Sequence, residues 1–410
     1  MPEAAPAAAA SAPDRLPREV RGLGAVSLFN DFASEMVYPV LPAFITGPLG
    51  GSAVALGALD GAADLASAAV KWASGRLADR PGWTRPLIAA GYAAAVLVRP
   101  LMAAASAAGQ VVGLRVVDRL GKGLRSPARD ALIAGVTPAR LRGRAFGFHR
   151  GADHLGAVLG SLVAWGMLSS SADPRTVIAW SAAPGVAALA VLAVVLRWTG
   201  GPADRRAMRV DGPGDGPAGG QADRTGAAFW LPVAVLVLLT AARLPETLLL
   251  LRLQDVGVPV AMIPLAWGAL HVIRSASSYP GGALADRFGV RGGLAVGSLV
   301  YASVLGLLAA VSSPAVAAAA FLAHGIGAGL TEPAERLAIT RLAPVRTGRG
   351  FGSYQALAGI AALPAGIGFG WMYRDLGGST ALTGSAIVLA IGAMLWLAVA
   401  QDPEPRPRVP

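Results

Sequence analysis

The chain has 410 residues, of which 54% are hydrophobic and only 14% are charged. Soluble proteins carry about 25% charged residues, so this composition excludes an ordinary globular protein. The formal charge of +11 comes from basic residues concentrated in alternate loops, a pattern of membrane orientation that argues against nucleic-acid binding. There are no cysteines, which excludes disulfides and thiolate metal sites.

Apolar stretches of about twenty residues, the length needed to cross a hydrocarbon core of about 30 Å, recur along the chain. They predict an all-α membrane protein with twelve transmembrane helices. The predicted helices cover residues 20–46, 53–77, 86–107, 109–133, 144–168, 175–197, 228–252, 259–284, 292–312, 315–341, 350–373 and 380–400.

The two ends and the centre of the chain are too polar to be buried. Residues 1–19 predict a disordered cytoplasmic N-terminal tail, and residues 402–410 predict a cytoplasmic C-terminal tail. Residues 199–227 are largely Gly, Pro, Asp and Arg, which predicts a flexible cytoplasmic linker. The chain would then consist of two six-helix bundles, at 20–198 and 228–401.

Lysine and arginine are unevenly distributed among the connecting loops. The loops at 47–53, 169–174 and 312–315 have none, whereas the alternate loops each carry two or more arginines. The positive-inside rule therefore places both termini in the cytoplasm, which predicts a multi-pass protein of the plasma membrane.

Three short sequences occur once in each half of the chain. GRLADR at 75–80 recurs as GALADR at 282–287, PARD at 127–130 as PAER at 333–336, and GRAFG at 143–147 as GRGFG at 348–352. The offsets of 207, 206 and 205 residues indicate one long repeat. Two parallel repeats predict pseudo-symmetric bundles with a substrate cavity at their interface.

The repeated loop resembles the signature of the major facilitator superfamily, G-x-L-A-D-R-x-G followed by a basic residue. Its two copies are Gly75, Leu77, Asp79, Arg80, Gly82 and Arg85, and Gly282, Leu284, Asp286, Arg287, Gly289 and Arg291. The first copy departs from the pattern by one extra position. The resemblance implies a secondary active transporter that works by alternating access. It also implies a cytoplasmic latch formed by Asp79, Arg80, Arg85, Asp286 and Arg287.

Two helices resemble those of a bacterial subset of this superfamily. The fourth helix has the D-R-x-G-K-G-x-R form, with Arg119, Lys122 and Gly123 matching the R-x-x-q-G motif. The first helix has N-D-x-x-S-E-M-x-Y-P at residues 30–39. The fifth helix keeps Gly156 and Gly160 of the antiporter-type signature but has Ser161 where proline is usual.

Inverted charge pairs lie near the predicted cytoplasmic helix ends. Arg129 and Asp130 in the first half correspond to Glu335 and Arg336 in the second. We interpret these four residues as part of the cytoplasmic gate or latch.

Ionisable side chains inside a membrane cost about 2.5–3.5 kcal/mol each on insertion scales, so each needs a partner or a task. Asp31 and Glu35 share one face of the first helix, and Asp60, Asp64 and Lys71 share one face of the second. The other candidates for the substrate cavity or proton coupling are Asp118, Arg119, Lys122, Glu246, His271 and Arg274.

Two interpretations of these charges remain open. The acidic faces of helices one and two would pair with the basic stripe of helix four in either case. The pairs would be structural salt bridges, or groups that change partners while a proton or the substrate competes for the carboxylate. Only Lys71 and Lys122 among the 35 basic residues are lysines, and both lie in predicted helices. We expect one of them to bind substrate or take part in coupling, because an ammonium can lose its proton and a guanidinium cannot.

The patterns predict a proton-coupled exporter of a polar or charged small organic compound, acting as a monomer in the lipid bilayer. A multidrug efflux antiporter and a divalent metal cation exporter remain alternatives. The expected partners are a small-molecule or ion substrate and protons, and no nucleic acid. We expect no enzyme, cofactor or metal site, because the sequence shows no nucleophile–base pair, phosphate loop or metal motif.

Overall fold

A computed structural model describes residues 15–78, 80, 82–138, 141–198, 226–342 and 347–400. Within these ranges the chain forms α-helices and short 3-10 turns and no strand, so the predicted all-α fold is confirmed. The two predicted tails and most of the predicted linker lie outside the described residues. The division into two bundles at the predicted boundaries stays a prediction.

In the N-terminal half, the described residues form eight helices that make up six spans. They are α1 (Arg18–Val37), α2 (Leu41–Thr46), α3 (Ala53–Ala78), α4 (Thr84–Ala104), α5 (Ala108–Val136), α6 (Arg142–Ser169), α7 (Pro174–Trp180) and α8 (Ala182–Trp198). Span 1 consists of α1, a 3-10 turn at Tyr38–Val40 and α2, because Pro39 and Pro42 lack the N–H that a continuous helix needs. Span 6 consists of α7 and α8.

Asp173 begins span 6 as a helix N-cap. Its carboxylate accepts a hydrogen bond from the Thr176 backbone N–H at 2.7 Å. Hydrogen bonding by the Thr176 side chain and by its backbone N–H favours the charged carboxylate and so lowers the pKa of Asp173.

Residues 226–342 and 347–400 of the C-terminal half form six helices, which also make up six spans. They are α9 (Ala227–Ala242), α10 (Glu246–Asp255), α11 (Ile263–Ala310), α12 (Pro314–Leu342), α13 (Thr347–Leu376) and α14 (Gly378–Val399). Span 7 consists of α9 and α10, which are separated by a break at residues 243–245. Spans 10, 11 and 12 are α12, α13 and α14.

Spans 8 and 9 differ from their predicted boundaries. The sequence predicts helices at 259–284 and 292–312 with a loop between them, whereas α11 continues through this region. Only Gly289 leaves the helical conformation, with φ 80° and ψ 159°. Glycine adopts a positive φ without the steric conflict of a Cβ, so a single residue separates the two spans.

Nine helical segments in the described ranges are long and apolar enough to cross a membrane. Spans 1, 4 and 5 fall short by that measure, since they carry more charged and polar residues. Large apolar side chains such as Leu97, Trp180 and Met394 are more than 60% exposed, as expected at positions that face lipid. Several polar residues of the less apolar spans are buried inside the bundle, among them Asn30, Arg115 and His149.

Candidate functional site

A cavity of about 570 Å³ lies between the two halves, within the range of about 300–1,000 Å³ typical of small-molecule sites. Spans 1, 2 and 4 form one wall, and spans 7 to 11 form the other. Nine of the eleven predicted cavity residues line it: Glu35, Asp60, Asp64, Lys71, Arg119, Lys122, Glu246, His271 and Arg274. Asp31 and Asp118 are not part of its lining.

Close packing of α3 against α13 closes one end of the cavity. A Cβ on Gly57 would collide with the carbonyl oxygen of Gly366, and one on Gly61 would lie 2.6 Å from that of Ala362. Real Cβ atoms essentially never come within 3.0 Å of such an atom, so only glycine permits this backbone approach. We call this the closed end; it contains the first turns of α3 and the last turns of α13.

The two halves separate towards the other end. On α6, Ser161 is 1% exposed and packs beside Gly268 of α11, whereas His154, two turns earlier on the same face, is exposed. A Cβ on Gly147 or Gly151, still earlier on that face, would meet nothing within 4 Å. We call this the open end; it is where α5 ends and α6 begins.

Asp60 links the two halves at the closed end. Its Oδ2 accepts hydrogen bonds from the Thr247 N–H at 3.2 Å and the Thr247 hydroxyl at 2.7 Å, and Tyr38 donates to Oδ1 at 3.0 Å. Thr247 lies in the first turn of α10, where backbone N–H groups have no partner within the helix. Asp60 therefore caps a helix of the opposite half, an arrangement that the helix dipole favours.

Glu35 forms a second link between the halves. The Trp267 indole N–H donates to its Oε2 at 2.6 Å, and the His271 Nε2 lies 3.8 Å from the same oxygen. The Trp267 ring also packs against Tyr38, with 4.9 Å between centroids. This carboxylate therefore contacts span 8 of the opposite half.

The expected pairing of helices one and two with the basic stripe of helix four stays a prediction. Asp64 interacts electrostatically with Arg119 and Asp60 with Arg115, but no described ion pair joins these helices. Asp118 pairs within α5 instead, 3.2 Å from Arg115 and 3.9 Å from Arg119. Asp31 accepts a hydrogen bond from the Asn30 side chain at 3.0 Å. The reason is local: residues three apart on one helix are neighbours, so α5 satisfies its own carboxylate.

The arginines of the opposite wall have carboxylate partners. Arg274 contacts Glu246 directly, and its Nε lies 3.9 Å from Glu332. Arg243 contacts Glu335 directly. Glu335 belongs to the predicted gate residues, yet it lies 8% exposed against an arginine that lines the cavity.

Several polar and aromatic side chains of the lining are absent from the predicted set. They are Tyr38, Arg243, Trp267, Tyr301, Glu332 and Tyr354. Tyr38 could have been found, because it follows Glu35 by three residues on the same helix face. Glu332 could also have been found, because it is a charged residue inside a predicted span. The aromatic residues have no such signal, since aromatic side chains at helical spacing are ordinary core residues.

The predicted latch stays a prediction. Asp79 lies outside the described residues, as do the side chains of Asp286 and Arg287. Arg85 donates to the Leu196 carbonyl at 2.7 Å, and Arg80 and Arg336 are exposed. Arg129 pairs with the adjacent Asp130 at 2.9 Å.

Both lysines of the chain line the cavity. Lys71 is half-buried and Lys122 is exposed. Within the described part of the chain, neither ammonium forms a hydrogen bond or an ion pair. They are thus available to a ligand in a way that Arg243 and Arg274 are not.

We expect acylation by an amine-reactive N-hydroxysuccinimide ester to modify Lys71 and Lys122 in the detergent-solubilised protein, because both ammonium groups face the open cavity. Peptide mass spectrometry measures each site, and Lys71→Arg and Lys122→Arg each serve as the control that removes one signal. Resistance of both lysines in the folded protein, with labelling only after denaturation, would contradict an accessible cavity.

Twelve spans, two packed halves and a charged cavity between them define a secondary transporter that exposes one site alternately to either side of a membrane. The family model described as Major Facilitator Superfamily matches residues 23–251 and 225–410. The chain belongs to this superfamily. It is a multi-pass membrane transporter for small molecules, not an enzyme.

Relatives and solved structures agree with this assignment. An uncharacterised protein of Mycobacterium tuberculosis is 28% identical over 375 residues, 87% of this chain and 87% of that protein. An uncharacterised MFS-type transporter of Methanocaldococcus jannaschii is 26% identical over 390 residues, 93% of this chain and 94% of that protein. A bacterial homologue of the human lysosomal transporter Spinster, solved inward-facing and unoccupied, has a TM-score of 0.72 at 14% identity, covering 93% of this chain and 96% of that one.

Proposed function

We propose that this transporter is a proton-coupled exporter of a polar or charged small organic compound, acting as a monomer in the plasma membrane. One observation carries the proposal: five carboxylates and five cationic side chains line a single cavity. They are Glu35, Asp60, Asp64, Glu246 and Glu332, and Lys71, Arg119, Lys122, Arg243 and Arg274. Such groups are costly inside a membrane and mark the path of a substrate or proton.

The sidedness follows from the arginines of the connecting loops. With both termini in the cytoplasm, the closed end faces outward and the open end faces the cytoplasm. The structure then represents an inward-open state that loads substrate from inside the cell. Export is the direction favoured by the resemblance of α6 to the antiporter-type signature, whose Gly156 and Gly160 pack against the backbone of Leu28 and Phe32 in α1.

The carboxylates supply the coupling step. Asp64 faces the cavity and has no ion pair or hydrogen bond within the described residues, so it is available to a proton. Asp60 and Glu35 link the halves through neutral donors, namely Thr247 and Trp267. Because hydrogen bonds to a charged acceptor are about twice as strong as neutral ones, protonation of either carboxylate weakens the closed end.

We expect Asp64→Asn to abolish proton-coupled flux in proteoliposomes while substrate exchange without a pH gradient continues. A thermal-shift screen of metals, organic ions, sugars and antibiotics first supplies the ligand, because a compound that binds only the fold raises the melting temperature. An internal pH dye then measures coupling. Asp375→Asn, at an exposed pair with Arg374, is the matched control. Full coupling in Asp64→Asn, Asp60→Asn and Glu35→Gln alike would contradict the proposal.

Multidrug efflux is the second candidate. Trp267, Tyr301 and Tyr354 give the charged lining an aromatic component that would suit larger apolar compounds. The third hypothesis is export of a divalent metal cation. It has less support, because the described residues show no group of three His, Asp or Glu able to hold a metal.

A further inference from the structure

We infer that the transported compound carries an anionic group, such as a carboxylate, sulfonate or phosphate, and that Lys71, Arg119 and Lys122 bind this group. The inference deepens the proposed function and rests on it: it assigns a charge to the solute and a binding position in the N-terminal wall of the cavity.

The pairing of charges in the cavity separates these three cations from the others. Arg274 has two carboxylate neighbours and Arg243 has one. Lys71 and Lys122 have no ion pair within the described residues, and Arg119 has only a contact of 3.9 Å to an Asp118 that Arg115 holds more closely. Asp64 acts on Lys71 and Arg119 only at longer range. The three cations without a close ion pair therefore lie on the walls formed by α3 and α5.

Helix packing brings the two lysines together. Gly123, next to Lys122, packs into α3, where its Cβ would lie 3.1 Å from the Val70 Cβ and 3.2 Å from the Ser67 carbonyl oxygen. Val70 in turn precedes Lys71. Arg119 lies close enough to both lysines for its positive charge to act on each of them. Like charges so placed repel unless an anion lies between them.

The carboxylates of the same wall lie deeper in the cavity. Asp64 precedes Lys71 by seven residues, which corresponds to about 10 Å along the helix. Asp60 lies one turn further towards the closed end and is engaged by Thr247 and Tyr38. The charge of Asp64 thus reaches Lys71 without an ion pair between them. Both lysines lie nearer the open end, through which a ligand arrives.

The presence of lysine and not arginine at Lys71 and Lys122 also fits the binding of an anion. The chain uses arginine at every other basic position, although arginine is equally able to orient a membrane protein. An ammonium on a flexible stem offers three rotatable donors as a compact point charge, which suits an anion that must be bound and then released.

The test measures binding to purified full-length protein at constant ionic strength, independently of transport. The probes are small carboxylates, sulfonates and phosphate monoesters, each beside its neutral amide or alcohol, together with amino acids and choline. We expect at least one anion to raise the melting temperature and to slow acylation of Lys71 and Lys122, while its neutral counterpart does neither. Lys71→Gln/Lys122→Gln should weaken binding at least ten-fold, Lys71→Arg/Lys122→Arg should retain part of it, and the exposed Arg197→Gln should leave it unchanged.

Each outcome supports or overturns the inference. Binding of amino acids but not of simple carboxylates still supports it if the double glutamine variant loses binding, since the anionic group is shared. Equal stabilisation of the wild type and the double glutamine variant overturns it, as does binding confined to neutral or cationic probes, or binding of no probe. Anion binding without proton-coupled flux would contradict the proposed function and leave this inference standing.

Discussion

Gly57→Leu is expected to reduce transport at least 100-fold without unfolding the protein. A Cβ at Gly57 would collide with the Gly366 carbonyl oxygen, so α3 and α13 could no longer meet at the closed end. This contact joins the two halves and lies outside the packing within each half. Leucine also has a higher helix propensity than glycine by about 0.8 kcal/mol, so α3 itself should not be weakened. The variant should remain open at the end that is closed here.

Two measurements check this expectation. Proteoliposome flux reports transport, and spin labels at Ser170→Cys and Val260→Cys report the separation of the halves at the closed end. The absence of native cysteines makes this labelling specific, and both positions are exposed. Gly368→Leu on α13 is the matched control, because a Cβ there meets nothing within 4 Å. Equal loss of flux in the control, or an unchanged label distance in Gly57→Leu, would show that the clash is not the cause.

Asp60→Ala is expected to give the second large effect, a loss of transport together with a weaker closed end. Asp60 accepts two hydrogen bonds from Thr247 of the opposite half, and bonds to a charged group contribute about 1.5–3 kcal/mol each. Losing even one would shift the closed–open equilibrium about ten-fold or more, since about 1.4 kcal/mol corresponds to a factor of ten. The same label pair should therefore report a longer mean distance.

A double-mutant cycle separates this link from a general destabilisation. Thr247→Val removes the hydroxyl donor, so Asp60→Ala/Thr247→Val should widen the closed end by no more than Asp60→Ala alone. Strict additivity of the two single effects would mean that the residues act independently. Asp60→Asn tests the charge at nearly constant size, because an amide still accepts a hydrogen bond but lacks the negative charge that favours a helix N-terminus.

Both variants act at the closed end but on different contacts. Glycine packing between α3 and α13 supplies the close backbone approach, and Asp60 supplies a polar link beside it. The glycine contact is insensitive to protons, whereas the carboxylate is not. This division would let a proton or an anionic substrate change the stability of the closed end without changing how the helices fit.

Helical periodicity was enough to find most of the cavity from the sequence. Asp60, Asp64 and Lys71 recur at i, i+4 and i+11, so any packing that turned one of them inward would turn all three inward. The cost of charge in a membrane then made an inward orientation necessary. The same two arguments placed Lys122 and Arg274 correctly on the cavity lining.

Helical periodicity and the cost of charge in a membrane did not predict which partner each charged side chain contacts. Asp118 was predicted to line the cavity, yet it lies outside the lining and pairs with Arg115 on its own helix. Glu335 stays a predicted gate residue, and its contact with Arg243 could not be predicted from the repeat. Spacing along the chain fixes the face of a residue, but it does not fix which of several opposite charges on that face lies nearest.

The sequence by itself determined the membrane class, the number and order of the spans, the repeat and the set of charges that need an inward position. These follow from local quantities, namely hydropathy over about twenty residues, charge in the loops and period along a helix. Only the tertiary structure decided which end of the cavity is closed and that Asp60 caps a helix 187 residues away. Those facts depend on how the two halves pack against each other, and contacts between halves leave no periodic trace in the sequence of either one.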